Sequence, residues 1–376
     1  MSNAMGNSAA AAEIYLDWNA TTPPLPEVLR AMEQALRQNW ANPASVHGAG
    51  RRARAALEDT REAIGALLDC SPRDVVFTGG GTEANNLALH AAPGLITSRI
   101  EHPSVVQVAL QLAARGTPVR WLPVARDGRI DPQAVEQALV GMPAGSWVAL
   151  MAANHETGVI QPIREVSEIA TRAGALLHVD AVQALGKLPP EVFRSATTVA
   201  LTAHKIRGPK GIGALAFRHA KPPAPFLRGG AQERGVRPGT QDAALASGFL
   251  VALQHAASGP ERHGALAVLR DQLELAFAGL AEVNGARAAR LAHVSNLSFK
   301  GWRGAELAAA LDLEGVLVSS GSACSAGTSE PSAVIAAMLG QERAESALRF
   351  SLGETTTAEQ VARAIAVVER VVTRRS

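Results

Sequence analysis

The chain has 376 residues, 47% of them hydrophobic and 19% charged, which is length enough for two or three domains and a large buried core. Its 36 Lys and Arg against 34 Asp and Glu leave a net charge of +2 with both signs scattered, so there is no basic stripe for nucleic acid. No run approaches the roughly 18 consecutive apolar residues of a membrane span, and the expected partners are small molecules or proteins, with no nucleic acid and no membrane.

In chain order, Met1-Ser2-Asn3-Ala4 reads as a cloning remnant before Met5, and the Ala-rich start to residue 12 is expected to be disordered. Leu25, Val28, Leu29, Met32 and Leu36 recur at helical spacing, as do apolar residues from His47 to Leu68, so two helices are expected ahead of the first strand. Short β-branched runs then follow at residues 75–78, 95–98, 119–124, 147–153, 176–180 and 199–202, separated mostly by helical segments. That alternation predicts an α/β fold, a mostly parallel sheet covered on both faces. Residues 212–217 follow Lys205 too closely for a crossover helix and read as an antiparallel strand. A Pro- and Gly-rich loop spans residues 222–230, and residues 243–257 are helical in pattern. Beyond them, strands at residues 295–299, 316–319 and 348–351 alternate with helices in a smaller α+β unit.

Ligands of open α/β sheets sit beyond the carboxyl ends of the strands. After residues 75–78 comes Gly79-Gly80-Gly81-Thr82 and a helix start, where free backbone N–H groups and the helix dipole face an anion. The strand 176–180 ends in Asp180, and the strand 199–202 runs into Thr202-Ala203-His204-Lys205. A lysine for a Schiff base, a carboxylate to keep a ring nitrogen protonated and a phosphate cradle are the parts that pyridoxal phosphate requires. Taken singly, Asp180 also fits a helix cap and Lys205 a solvated surface residue. Cys70 and Cys324 are too few for a disulfide framework and fit a reducing, cytoplasmic compartment. Cys70 reads as a small buried hydrophobe; Cys324, in a polar segment flanked by Gly321, Ser322, Ser325 and Gly327, fits that reading poorly. No His/Cys cluster has metal-ligand spacing, so no metal is expected. His90, His178, His219 and His263 read as core or surface residues.

From Ile14 to about Thr357 the sequence resembles the class V aminotransferase-like enzymes of pyridoxal phosphate fold type I, and within them the cysteine desulfurases of the NifS and IscS type. The motifs that carry the resemblance are Asn19-Ala20-Thr21-Thr22-Pro23, Asn42-Pro43-Ala44-Ser45-Val46-His47, Thr82-Glu83-Ala84-Asn85-Asn86, Glu101-His102-Pro103, His178-Val179-Asp180-Ala181-Val182-Gln183, His204-Lys205 and Ser319-Ser320-Gly321-Ser322-Ala323-Cys324.

The resemblance implies a seven-stranded large domain over residues 27–250, an N-terminal arm at 13–26, and a small domain over 251–376 carrying the Cys324 loop. It implies that Lys205 binds pyridoxal 5'-phosphate covalently, that Asp180 pairs with its ring nitrogen, and that His102 stacks on the ring and shuttles protons. Gln183 would reach the phenolic oxygen; Gly81, Thr82, Thr202 and His204 would hold the phosphate, joined by Thr240 from the neighbouring subunit of a homodimer. Arg349 would grip the carboxylate of L-cysteine, and Asn154 and His155 would lie near substrate and ring. Cys324 would take the sulfur as a persulfide, leaving alanine, and pass it to a protein acceptor such as an iron–sulfur scaffold. Selenocysteine lyase or another β-lyase, and a non-catalytic sulfur-carrier subunit, share these residues and stay open as alternatives. Four positions depart from the family pattern. His155 stands where Asn is usual and titrates near neutrality when exposed; Trp18 replaces a small polar residue, Pro238 a Ser, and Glu354 an Arg, a change expected to alter surface charge at a docking face.

Overall fold

The computed structural model describes residues 13–218, 221–321 and 330–374; the Ala-rich start, His219, and Cys324 with its immediate neighbours lie outside the described residues. Twelve strands are described: β1 (Ile14–Tyr15), β2 (Val75–Thr78), β3 (Leu95–Ser98), β4 (Val119–Leu122), β5 (Trp147–Met151), β6 (Leu176–Asp180), β7 (Thr198–Thr202), β8 (Gly213–Phe217), β9 (Ala281–Val283), β10 (Val294–Phe299), β11 (Val316–Leu317) and β12 (Ala347–Ser351). Seven of them form one sheet in the order β2-β8-β7-β6-β5-β3-β4. β8 runs antiparallel to both β2 and β7, with Thr202 opposite Gly213; the remaining pairs are parallel.

Every residue of β2, β3, β7 and β8 is buried, as a sheet covered on both faces requires. Because side chains alternate along a strand, Val75, Phe77, Val199 and Leu201 enter one core while Val76, Ala200 and Leu215 enter the core on the opposite face. A separate core gathers Leu16, Leu297, Phe299, Leu307, Phe350 and Val368 around the three-stranded antiparallel sheet β12-β10-β9.

The expectation that two helices precede any strand is corrected by β1, which pairs in parallel with β11 near the other end of the sequence. Two residues are too few to show a period; this strand exists only through its distant partner. Likewise residues 123–124 and 152–153 leave the large sheet, and Ser319 meets Arg349 in an isolated bridge beyond the end of β11.

One buried ion pair pins the loop that follows the large sheet. Arg61, from the helix Gly48–Leu68, donates to both Glu233 oxygens at 2.7 and 2.5 Å, and Glu233 also accepts from the Phe77 N–H and from Gln241. Glu233 and Arg234 both take left-handed backbone conformations, φ 48 and 57, which non-glycine residues adopt only under such constraint. Removing one partner of a buried pair strands the other charge. Glu233→Ala is expected to lower unfolding stability by roughly 3–5 kcal/mol, read as a shift of the urea midpoint at unchanged slope.

Candidate active site

The carboxyl ends of β2, β6 and β7 open into one cleft, lined by Asn19, Gly81, Thr82, Asn85, His102, His155, Asp180, Gln183, Thr202, His204, Lys205 and Arg349 among others. β2 turns through Gly79 and Gly80, the latter at φ +148, into the helix Gly81–Leu89. A Cβ at Gly81 would stand 2.6 Å from Val182 Cγ2, so only glycine lets this helix start lie against the segment after β6. Glu83 accepts from the Gly79 N–H at 2.6 Å and from Arg237 at 2.8 Å, fixing the turn.

Asp180, at the end of β6, is 6% exposed. One oxygen accepts from the Val182 N–H at 3.0 Å and the other from Asn85 Nδ2 at 2.7 Å. Lys205 closes the short turn after β7, and its Nζ donates to the Asn19 and Ala20 carbonyls at 2.5 and 2.6 Å. His102 caps the helix Pro103–Ala114 by accepting the Ser104 N–H at Nδ1, and its ring meets that of His155 edge to face, centroids 5.6 Å apart. Arg349, on β12, is 2% exposed. Its guanidinium donates to the His155 carbonyl and to Asp17 at 3.0 and 2.5 Å, leaving Nε buried without a hydrogen-bond partner among the described residues. An unsatisfied buried donor is costly unless a ligand supplies its acceptor.

Ten of the sequence-predicted residues line this cleft. Asn154 does not. Its Oδ1 accepts from the Glu156 and Thr157 N–H groups while Nδ2 donates to the Ile100 carbonyl, so the amide shapes the loop that presents His155. Thr240 is exposed and away from the cleft of its own chain. Gln183 lines the cleft but donates from Nε2 to the Asn19 carbonyl at 3.0 Å. Four side chains that the motif reading left without a role also belong to the surroundings. Asn85 and Asn19 touch the cleft directly. Lys187, fully buried, is pushed down to about 7 by burial and by the Lys205 charge. Glu101 is raised well above the carboxylate range by burial and by Asp180, and its carboxyl accepts from the Ser98 hydroxyl. The signal for Asn85 was its place on a buried helix face, four residues before Leu89.

Two expectations about the departures are corrected. His155 does not titrate near neutrality: burial, then the His102, Arg349 and Lys205 charges, push it well below the usual range. Glu354 is not a docking charge; its side chain is 9% exposed and pairs with His255, Arg262 and Arg207 at 2.7, 3.3 and 3.5 Å. His263, read as a core or surface residue, packs against the His293 ring at 5.1 Å and contacts the Gly259 carbonyl.

The residues present fit a phosphorylated pyridine aldehyde. The helix start and Thr82 offer donors to a phosphate, a buried carboxylate faces the cleft, and a lysine amine lies in reach of the same space. Burial also lowers His102, His178, His204, His263 and His293, with His178 and His204 brought to about 3. Unfolded histidine binds its proton near pH 6.5, so below that pH the unfolded state holds more protons and folding stability falls. The unfolding midpoint is therefore expected to drop between pH 7 and 5, with a shallower slope in His178→Gln, measured by denaturant titration at each pH.

Against known proteins, the family described as aminotransferase class-V matches residues 14–364. A cysteine desulfurase of Cereibacter sphaeroides is 41% identical over 374 residues, covering 96% of this chain and 95% of that protein. Among solved structures, a NifS-like protein superposes with a TM-score of 0.88 at 31% identity, covering 96% of this chain and 99% of that one. The structure titled "SspA in complex with cysteine" superposes at 0.79 with 31% identity, covering 91% and 99%. With the sheet order, the cleft and these likenesses together, the chain belongs to the class-V aminotransferase family and, within it, to the cysteine desulfurases.

Proposed function

We propose that this enzyme uses pyridoxal 5'-phosphate to convert L-cysteine to L-alanine, working as a homodimer in the cytoplasm and passing sulfur to a protein acceptor such as an iron–sulfur scaffold. The observation that carries the reading is the convergence of Lys205, Asp180, His102 and Arg349 on one cleft. Lys205 is assigned to bind the cofactor, Asp180 to face its ring nitrogen, and Gly81, Thr82, Thr202 and His204 to hold its phosphate. The bound cofactor supplies an electron sink that weakens bonds at the substrate's α and β carbons.

The protein's own groups do the rest. Arg349 offers its buried Nε–H to the substrate carboxylate and so orients the amino acid. His155 and His204, kept neutral by burial, add no cations beside Lys205. His102 holds or moves a proton at the ring face. Cys324 is the proposed sulfur acceptor. Its thiol and the substrate thiol become a persulfide as the substrate's carbon–sulfur bond breaks, and the β carbon takes a proton to give alanine. The proposed large and small domains meet near residue 250, and the cleft lies where β12 and the N-terminal arm approach the large sheet.

Exposed apolar side chains such as Leu29, Leu36, Trp40, Val46, Phe226 and Leu227 are the kind of surface that a second copy of the chain would cover. Thr240, remote from its own cleft, is assigned to the partner's phosphate. Purified protein supplied with cofactor, reductant and L-cysteine is expected to release sulfide and alanine in equal amounts, and Cys324→Ala to release neither. Sulfide from Cys324→Ala would sink the assignment of the nucleophile. Mixing inactive Lys205→Ala with impaired Thr240→Ala subunits is expected to restore activity through the one intact site per mixed dimer; no recovery after subunit exchange would place Thr240 outside the shared site.

A further inference from the structure

Behind the cleft, Thr198, His178, Asn85, Ser104 and His102 form an unbroken chain of hydrogen bonds in which the position of every proton can be deduced. Asn85 is 1% exposed and sits on the first turns of the helix Gly81–Leu89. We propose that Asn85 is a positioning residue that acts through Ser104 to decide which ring nitrogen of His102 carries the proton.

Asp180 Oδ2 lies 2.7 Å from Asn85 Nδ2, and a carboxylate oxygen accepts, so the Asn85 amide group must face it with its N–H side. The Asn85 oxygen then faces His178 Nε2 at 2.9 Å, which must donate. His178 Nδ1 consequently accepts from the Thr198 hydroxyl at 2.9 Å, and burial keeps this ring neutral. Asn85 Nδ2 has a second N–H, and it points at Ser104 Oγ, 2.9 Å away. Ser104 has only one hydroxyl proton. Its oxygen accepts from Asn85, and its proton goes to His102 Nδ1 at 2.7 Å, because the Ser104 backbone N–H, which can only donate, is aimed at that same nitrogen. The Ser104 backbone N–H approaches the same nitrogen at 3.2 Å.

Two donors aimed at Nδ1 require a lone pair there, so neutral His102 carries its proton on Nε2. The ring lining the cleft is thereby a hydrogen-bond donor at its remaining nitrogen. One amide sets both partners at once, since Asn85 holds the Asp180 carboxylate and the Ser104 hydroxyl with the two hydrogens of a single NH2 group. The role of that N–H in turnover rests on the desulfurase reading; the tautomer itself does not.

The test uses the full-length, cofactor-loaded enzyme labelled with ¹⁵N-histidine, His102 being assigned by loss of its signals in His102→Gln. Ring nitrogen shifts report directly which nitrogen is protonated. The expected result is an unprotonated Nδ1 in the wild type and in Ser104→Thr, and a shift toward protonated Nδ1 in Asn85→Ala and Ser104→Ala. The two alanine variants are also expected to lose roughly 10- to 100-fold in kcat, with KM for cysteine little changed. A protonated Nδ1 in the wild type, or an unaltered tautomer in Asn85→Ala, overturns the proposal. Should Asn85→Ala fail to fold, Asn85→Leu is closer in volume and removes the same donor. An inactive wild type with the expected tautomer would sink the desulfurase reading and leave the assignment of Asn85 standing.

Discussion

The site depends on one buried residue of the N-terminal arm. Asn19 spends each of its polar groups on a different part of the chain. Its N–H reaches Ser351 on β12 and its side-chain amide the His155 carbonyl. Its side-chain oxygen accepts from His293, and its backbone carbonyl takes the amine of Lys205 and the amide of Gln183. Five segments distant in sequence are therefore held at one point. Together with the Arg349 contact to the His155 carbonyl, these bonds fix the distance between Lys205 at the end of β7 and the arginine on β12.

The second constraint is electrostatic. The cleft brings the Lys205 amine, the Arg349 guanidinium and the Asp180 carboxylate together, with Arg349 and Asp180 buried, and in such partly desolvated surroundings each additional charge interacts more strongly than in bulk water. The surrounding histidines meet this constraint by remaining neutral; burial lowers all of those beside the cleft. Lys187 is a partial exception, since its amine lies 3.2 Å from the Lys205 carbonyl and is itself driven toward neutrality. Imidazole and amine thus add little charge here, and the formal charges are left to the groups that would meet the cofactor and substrate.

Much of this was legible before the structure. The strands of the large sheet announce themselves as short β-branched runs because they are buried on both faces, and the antiparallel sense of β8 follows from the short connection after Lys205. Asp180, Lys205 and the glycine turn stand at strand ends, where open sheets bind ligands. What sequence did not show has a common cause: it depends on partners far along the chain. β1 exists through β11; Asn154 looks like a site residue until its oxygen is found bonded to Glu156 and Thr157; Glu354 looks like a surface charge until His255, Arg262 and Arg207 close around it. Asn85 is the instructive case, a polar residue on an apolar helix face, which is the pattern of a buried group with appointed partners.

Glu354 also carries a consequence for how this sequence can change. It follows Gly353, where a side chain would collide with the ring of Trp18, and Arg207 lies 5.8 Å over that ring while pairing with Glu354. An arginine at position 354 would put a fourth basic group among Arg207, His255 and Arg262, and a small side chain at position 18 would empty the space against Gly353. Positions 18, 207, 255, 262 and 354 thus form one packed and charge-paired joint, in which a change at any one alters the surroundings of the others.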